Sequence, residues 1–188
     1  MADCVAVRVT GGTAAAIRRT WRELEARFGA GRAHPEADPH LTLAVVPGAA
    51  LPEEARRALA ALTRTFPPFS VSGGGYGVFV GHDRTPVLHM SVTATPRLAA
   101  LHEAVVLGLG RAGVEIDPES RPEHWRPHIN LADQGADGRA LTADTAGGAV
   151  AYLVECGPRH WTIEVTEVAL LAGPGRPGYR FPLQGGVA

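Results

Sequence analysis

The order of apolar patterns along the chain predicts an α+β fold. Two observations carry this. Strand-like and helix-like segments are interleaved along all 188 residues, with two strands adjacent only in the middle and at the end. A helical pattern followed by a strand headed by Pro-His also occurs in each half. These strands are Pro39-His40-Leu41-Thr42-Leu43 and, 88 residues later, Pro127-His128-Ile129-Asn130-Leu131. A chain of 19.7 kDa buries enough surface to fold without covalent staples, and one domain over 1–188 is expected.

Cys4-Val5-Ala6-Val7-Arg8-Val9 alternates and is β-branched, so a strand is predicted at 4–9. Ile17, Trp21, Leu24 and Phe28 recur at helical spacing, and glycines follow at 29 and 31, which gives a helix over 13–28. After the polar linker 32–39 comes the strand 40–46. Pro52 and two acids in the next first turn mark a helix over 52–65. Strands around 69–80 and 87–94 are joined by a turn at 81–86. Pro96 opens a helix whose Leu98, Leu101, Val105 and Leu109 share one side. A loop leads to the strand at 128–133, residues 141–155 read as a helix, 160–173 as one long alternating strand, and 178–185 as a closing strand.

The formal net charge is −1, which argues against a surface that tracks long duplex nucleic acid. All 18 basic residues are arginine, so a P-loop lysine, a Schiff-base lysine and a covalent lysyl-nucleotide are excluded. Cys4 and Cys156 have no metal-like spacing, and the N-terminus lacks a charged region followed by an apolar one. A cytoplasmic, reduced protein is therefore expected, without a membrane segment. Gly108 to Gly113 formally match G-x-G-x-x-G, but they end a helical pattern instead of joining a strand to a helix, so they are read as helix termination. His124 and His128 stand four apart, yet Pro127 between them disfavours a zinc-binding helix, and no metal or cofactor is expected.

Side chains alternate along a strand, so His40 and Thr42 share one face while Leu41 and Leu43 take the other. His128 and Asn130 sort the same way against Ile129 and Leu131. Two such strands side by side would set two imidazoles across a cleft, each with a hydrogen-bonding neighbour. Phosphodiester transesterification or hydrolysis needs a base for the attacking oxygen and an acid for the leaving one, and histidine serves either role near neutrality. Thr42 and Asn130 would hold the non-bridging phosphate oxygens.

The paired motifs, in this order of elements, resemble the 2H phosphoesterase superfamily, in particular its LigT-like 2′-5′ RNA ligase and 2′,3′-cyclic phosphodiesterase branch. The resemblance covers nearly the whole chain. It implies a bilobal, pseudo-symmetric fold in which two antiparallel sheets form a central cleft with helices outside. It also implies opening of a 2′,3′-cyclic phosphate to a 2′-phosphate, or reversible 2′-5′ joining. His40 and His128 match the family's catalytic histidines and Thr42 its first phosphate-binding hydroxyl. Asn130 departs from the usual Thr or Ser, although an amide still donates to a phosphate oxygen.

Arg126 is a candidate for holding phosphate, and Tyr76, Trp125 and Tyr179, in Gly- or Pro-rich surroundings, for stacking a base. His89, with Ser91 on its face, faintly echoes the motif but reads as packing. His34, His82, His102 and His160 are assigned to loops and helix faces. The expected partner is a small phosphodiester or an RNA end, met by a monomer. Two other readings are a non-catalytic binder of RNA ends or nucleotides, and a 2H-type enzyme for a specialised small metabolite.

Overall fold

The alternating, valine-rich start folds as β1 (Asp3–Arg8), and the amphipathic segment after it as α1 (Gly11–Phe28). In a computed structural model, which describes residues 3–32, 38–48, 50–81, 85–135, 138–172 and 178–185, the chain continues as follows. The short β2 (Ala30–Gly31) leads to β3 (His40–Val46), α2 (Glu53–Thr63), β4 (Phe69–Val80) and β5 (Pro86–Val92). Then come α3 (Pro96–Arg111), a 3₁₀ turn at Pro118–Ser120, β6 (His128–Ala132), the short β7 (Gln134–Gly135) and α4 (Ala143–Cys156). The chain closes with β8 (Trp161–Val165), β9 (Glu167–Leu171) and β10 (Tyr179–Pro182). His34 and His82 lie outside the described residues.

Two four-stranded antiparallel sheets result, in the orders β10-β9-β1-β3 and β6-β5-β4-β8, with β2 and β7 pairing as a small ribbon. The strands that carry the two histidines, β3 and β6, are thus the edge strands of the two sheets, and they lie against each other. The α+β class and the two antiparallel sheets expected from the sequence are both present.

Each of the two edge strands carries a β-bulge at the same place. Val5 pairs with Ala44 but Ala6 with Thr42, leaving Leu43 as the extra residue. Leu88 pairs with Ala132 but His89 with Asn130, leaving Leu131 extra. Leu43-Ala44 and Leu131-Ala132 are consecutive apolar residues, and all four are buried. Strict alternation would turn one of each pair outward; the bulge lets both face the core and re-aims the strand beside the histidine.

The helices are exchanged between the sheets. α1 leaves β1 and returns to β3 in the first sheet, yet it packs on β6, β8 and α4 of the second. α3 connects β5 to β6 of the second sheet and packs on β3 and α2 of the first. Its Leu98, Leu101, Val105 and Leu109 are buried at helical spacing, with Thr95 capping the N-terminus through a hydrogen bond from the Leu98 amide.

Three expectations need correction. The single strand expected over 160–173 is two strands: β8 pairs with β4 in one sheet, β9 with β1 and β10 in the other, and the chain crosses at Thr166. Gly108 and Gly110 lie inside α3 and do not end it; only Gly113, at φ 71°, takes the left-handed conformation past the helix. His102 faces the core of α3, 1% exposed.

Candidate active site

The cleft face of β3 presents His40 and Thr42, and that of β6 presents His128 and Asn130, all four half-buried between fully buried leucine and isoleucine neighbours. The two imidazoles are held alike. His40 Nδ1 donates to the Asp38 carbonyl at 2.8 Å, and His128 Nδ1 donates to the Arg126 carbonyl at 2.5 Å. A carbonyl only accepts, so each ring carries its neutral-state proton on Nδ1 and leaves Nε2 as the titrating nitrogen. The turn before His40 is braced further: the Asp38 carboxylate takes Arg8 and Arg18, each at 2.5 Å. Burial alone would raise Asp38, but these two guanidiniums outweigh it and hold the carboxyl below its usual range.

Burial also pulls His40 below the ordinary histidine range. Arg32 and His128 push the same way, opposed by the Asp38 carbonyl and carboxylate. Arg32 is itself 8% exposed, with its guanidinium 4.4 Å from the centre of the Trp21 ring and its Nε without a hydrogen-bond partner. His128 is likewise lowered by burial, but its neighbours act in the opposite sense: the Arg126 carbonyl and the Asn130 side chain both favour the charged ring. The buried Oδ1 of Asn130 nevertheless closes no hydrogen bond of good geometry.

Two tryptophans tie the motif strands to the opposite half. The Trp21 indole on α1 donates to the Asn130 carbonyl at 3.2 Å, and the Trp125 indole, just before β6, donates to the Thr42 carbonyl at 2.9 Å. Each indole is backed by a stacked partner: Arg32 behind Trp21, and behind Trp125 the buried His102, with ring centres 3.9 Å apart and planes 5° from parallel. The Thr42 hydroxyl lies 3.4 Å from the Cys4 thiol on β1. Burial chiefly pushes that thiol up to about 11, with Thr42 opposing, so Cys4 stays protonated and can donate to Thr42.

A cavity of about 460 Å³ opens on this face. Its lining joins Thr42, His128 and Asn130 to Trp125 and Arg126 and to the apolar Phe79 and Val80 of β4. Asp117, Glu119 and Ser120 close one side, anchored by bonds of 2.9 Å from the Asp117 amide to the Val45 carbonyl and from the Val45 amide to the Ser120 hydroxyl. His40 is not among the residues that line this cavity; its ring shares the β3 face with Thr42. Trp125 and Arg126 are thus brought to Thr42 and the second motif, whereas Tyr76 and Tyr179 are not.

The stacking role expected for these two tyrosines has no support in their positions. The Tyr76 hydroxyl donates to the Pro158 carbonyl at 2.6 Å, its ring against the turn after α4. Tyr179 sits on β10, the edge of its sheet remote from β3, where its hydroxyl accepts from Arg56 and its ring lies under that guanidinium. Sequence position near glycine or proline does not decide which sheet edge a residue occupies. Conversely, Trp21, Arg32, Cys4, Phe79 and His102 enter the surroundings of the site with no advance signal, because their partners are remote in sequence. Among the described residues no three His, Cys, Asp or Glu side chains gather as a metal set, and no helix is long and apolar enough to cross a membrane.

This geometry can be set beside known proteins. No curated protein matches the chain in sequence. Among solved structures, the protein TT0787 of Thermus thermophilus superposes with a TM-score of 0.62 at 23% identity, over 98% of this chain and 99% of that one. Escherichia coli LigT complexed with 3′-AMP gives 0.58 at 22% identity, over 97% of this chain and 94% of its own. A structure described as a phosphoesterase gives 0.59 at 23%, with the same coverage as LigT. These likenesses show a shared fold. The family model of the 2′-5′ RNA ligase superfamily matches residues 13–175, which takes in both Pro-His strands, both bulges and all four helices but for the first two residues of α1. The chain belongs to the 2′-5′ RNA ligase superfamily of enzymes.

Proposed function

We propose that the chain hydrolyses a 2′,3′-cyclic phosphate, on a nucleotide or an RNA end, to a phosphomonoester by two-histidine acid and base catalysis without a metal. The observation that carries this reading is the matched tethering of His40 and His128 through Nδ1, which leaves two Nε2 atoms on adjoining edge strands. That LigT has been obtained with 3′-AMP and with phosphate agrees with a nucleotide phosphate as ligand.

The two rings share burial and a backbone carbonyl at Nδ1, but Arg32 and the charge of His128 disfavour a proton on His40 while the Asn130 side chain favours one on His128, which suits His40 as base and His128 as acid. His40 Nε2 takes a proton from water, the water oxygen bonds to phosphorus, the phosphorus bond to the 3′ oxygen breaks, and His128 Nε2 returns a proton to that oxygen. Thr42 and Asn130 donate to the non-bridging oxygens as charge grows on them. Arg126 adds positive charge at the cavity wall, and the exposed part of Trp125 offers a face to the base.

The test is hydrolysis of 2′,3′-cyclic nucleotides in EDTA across pH, for the wild type beside His40→Ala and His128→Ala. A bell-shaped, chelator-resistant rate that falls by about 10² to 10⁴ in each variant is expected. A second reading, a protein that binds such ends without turnover, is favoured by the unpartnered Oδ1 of Asn130, at the position where the resembled motif has a hydroxyl. Tight binding of a 3′-nucleotide without any wild-type hydrolysis would replace the first reading by the second.

A further inference from the structure

His89 stands next to this machinery without belonging to it. On β5 it is the cross-strand neighbour of Asn130 on one side and of Gly77 on the other. The glycine leaves room for the ring: a Cβ at position 77 would lie 3.0 Å from His89 Cε1 and 3.2 Å from Nε2, tight enough that the ring would have to shift by a few tenths of an ångström. Across that gap the imidazole reaches two other rings. It lies 5.7 Å from His128, edge-on at 73°, and 5.0 Å from Phe79, which itself meets His128 edge-on at 4.8 Å and 78°. Its Nδ1 faces the Val87 carbonyl at 3.4 Å, the same relation that His40 and His128 have to the residue two positions back, but longer. His89 does not line the cavity; its ring contacts are with His128 and Phe79. In the first half the matching neighbour of Thr42 is Ala6, which brings no ring to the motif.

We propose that His89 is a positioning residue for His128: with Phe79 it closes a three-ring cluster that braces one side of that imidazole, a clamp that keeps Nε2 aimed into the cleft. The proposal rests on the two-histidine reading for its kinetic arm alone. Edge-to-face contacts of this spacing fix ring orientation as well as adding stability, and a ring that is free to swing loses aligned proton transfer. Among the described residues, the titratable and charged groups around His128 are His40 from β3, His89 from β5, Arg126 and His124 from the preceding loop, and Asp117 and Glu119 on the cavity wall. Burial keeps His89 below its ordinary range against the Val87 carbonyl, with the charges of His128 and Arg126 acting the same way as burial, so a proton on His128 disfavours one on His89.

The experiment compares His89→Ala with His89→Phe, which restores a ring. Three quantities are read: kcat and KM on a 2′,3′-cyclic nucleotide, the melting temperature, and the imidazole titration of His128 followed by NMR in the full chain. For His89→Ala, kcat should fall about 10- to 100-fold with KM little changed, and the His128 titration should rise toward about 6.5 as water enters. His89→Phe should recover most of both, even if the two variants lose similar thermal stability. An unmoved kcat and titration in His89→Ala overturn the proposal, and so does a phenylalanine variant as impaired as the alanine one. The titration needs no turnover, so an absence of hydrolysis by the wild type would count against the proposed function and leave the clamp decided by NMR.

Discussion

Trp125→Phe isolates one of the two indole ties between the halves. Phenylalanine keeps an aromatic face over His102 but removes the donor that meets the Thr42 carbonyl at 2.9 Å. β3 is an edge strand, so the orphaned carbonyl falls where a backbone group depends on such a partner. Losing a bond of this kind while leaving its acceptor partly buried costs about 1–3 kcal/mol. For a chain of this size each kcal/mol moves the melting temperature by about 2–4 °C, so a drop centred near about 6 °C is expected. Trp21→Phe removes the longer bond, 3.2 Å to the Asn130 carbonyl, and should cost no more than its counterpart. Calorimetry with a urea titration at fixed pH measures both. A Trp125→Phe melting temperature within about 1 °C of wild type would refute the argument, because water would then be satisfying the Thr42 carbonyl as well as the indole does.

Two further outcomes follow from buried titratable groups. His40, His89, His102 and His128 are all held below the ordinary histidine value, in each case mainly by burial; the unfolded chain therefore takes protons first as pH falls. Stability should drop from about pH 6.5 downward until the lowered folded values are reached, and a urea midpoint at about pH 5.5 equal to or above that at about pH 7.5 would contradict this. The two thiols should separate cleanly: Cys156 is exposed, while Cys4 titrates at about 11. A disulfide reagent at about pH 8 should modify one thiol quickly and the second only on unfolding, and two fast thiols would show Cys4 to be accessible.

The halves of the site are legible in the sequence to different degrees. His40 and His128 can be found because each heads a strand whose apolar residues alternate with polar ones, and the pattern occurs twice. The bulges are also written there, as the consecutive Leu-Ala that follows Thr42 and Asn130, but only the ladders with β1 and β5 give that pair its meaning. The run from Trp161 to Leu171 misleads because alternation through Val165 passes into Val168-Ala169-Leu170, all buried, without a turn residue between; which sheet a strand joins is decided by its partner. His102 falls beside Leu101 on the apolar stripe of α3, and its burial reflects stacking on a tryptophan 23 positions later. Tyr76 and Tyr179 suggest stacking only through the loops around them, and the structure uses both hydroxyls elsewhere.

The exchange of α1 and α3 constrains how substrate can enter and leave. Each helix is chained at both ends to one sheet and rests under the other, so parting the sheets like jaws would strip apolar faces from both helices at once. Buried faces of that size make a wide opening far too rare to serve each turnover. Exchange must instead run through the standing opening of the cavity, whose lining includes Val80 and Arg126, while the two strands that carry the imidazoles keep their places between cycles. On the proposed function, each substrate meets two motif strands that already stand in place, and the rate should be governed by chemistry or by release at the rim, not by a closing motion of the lobes.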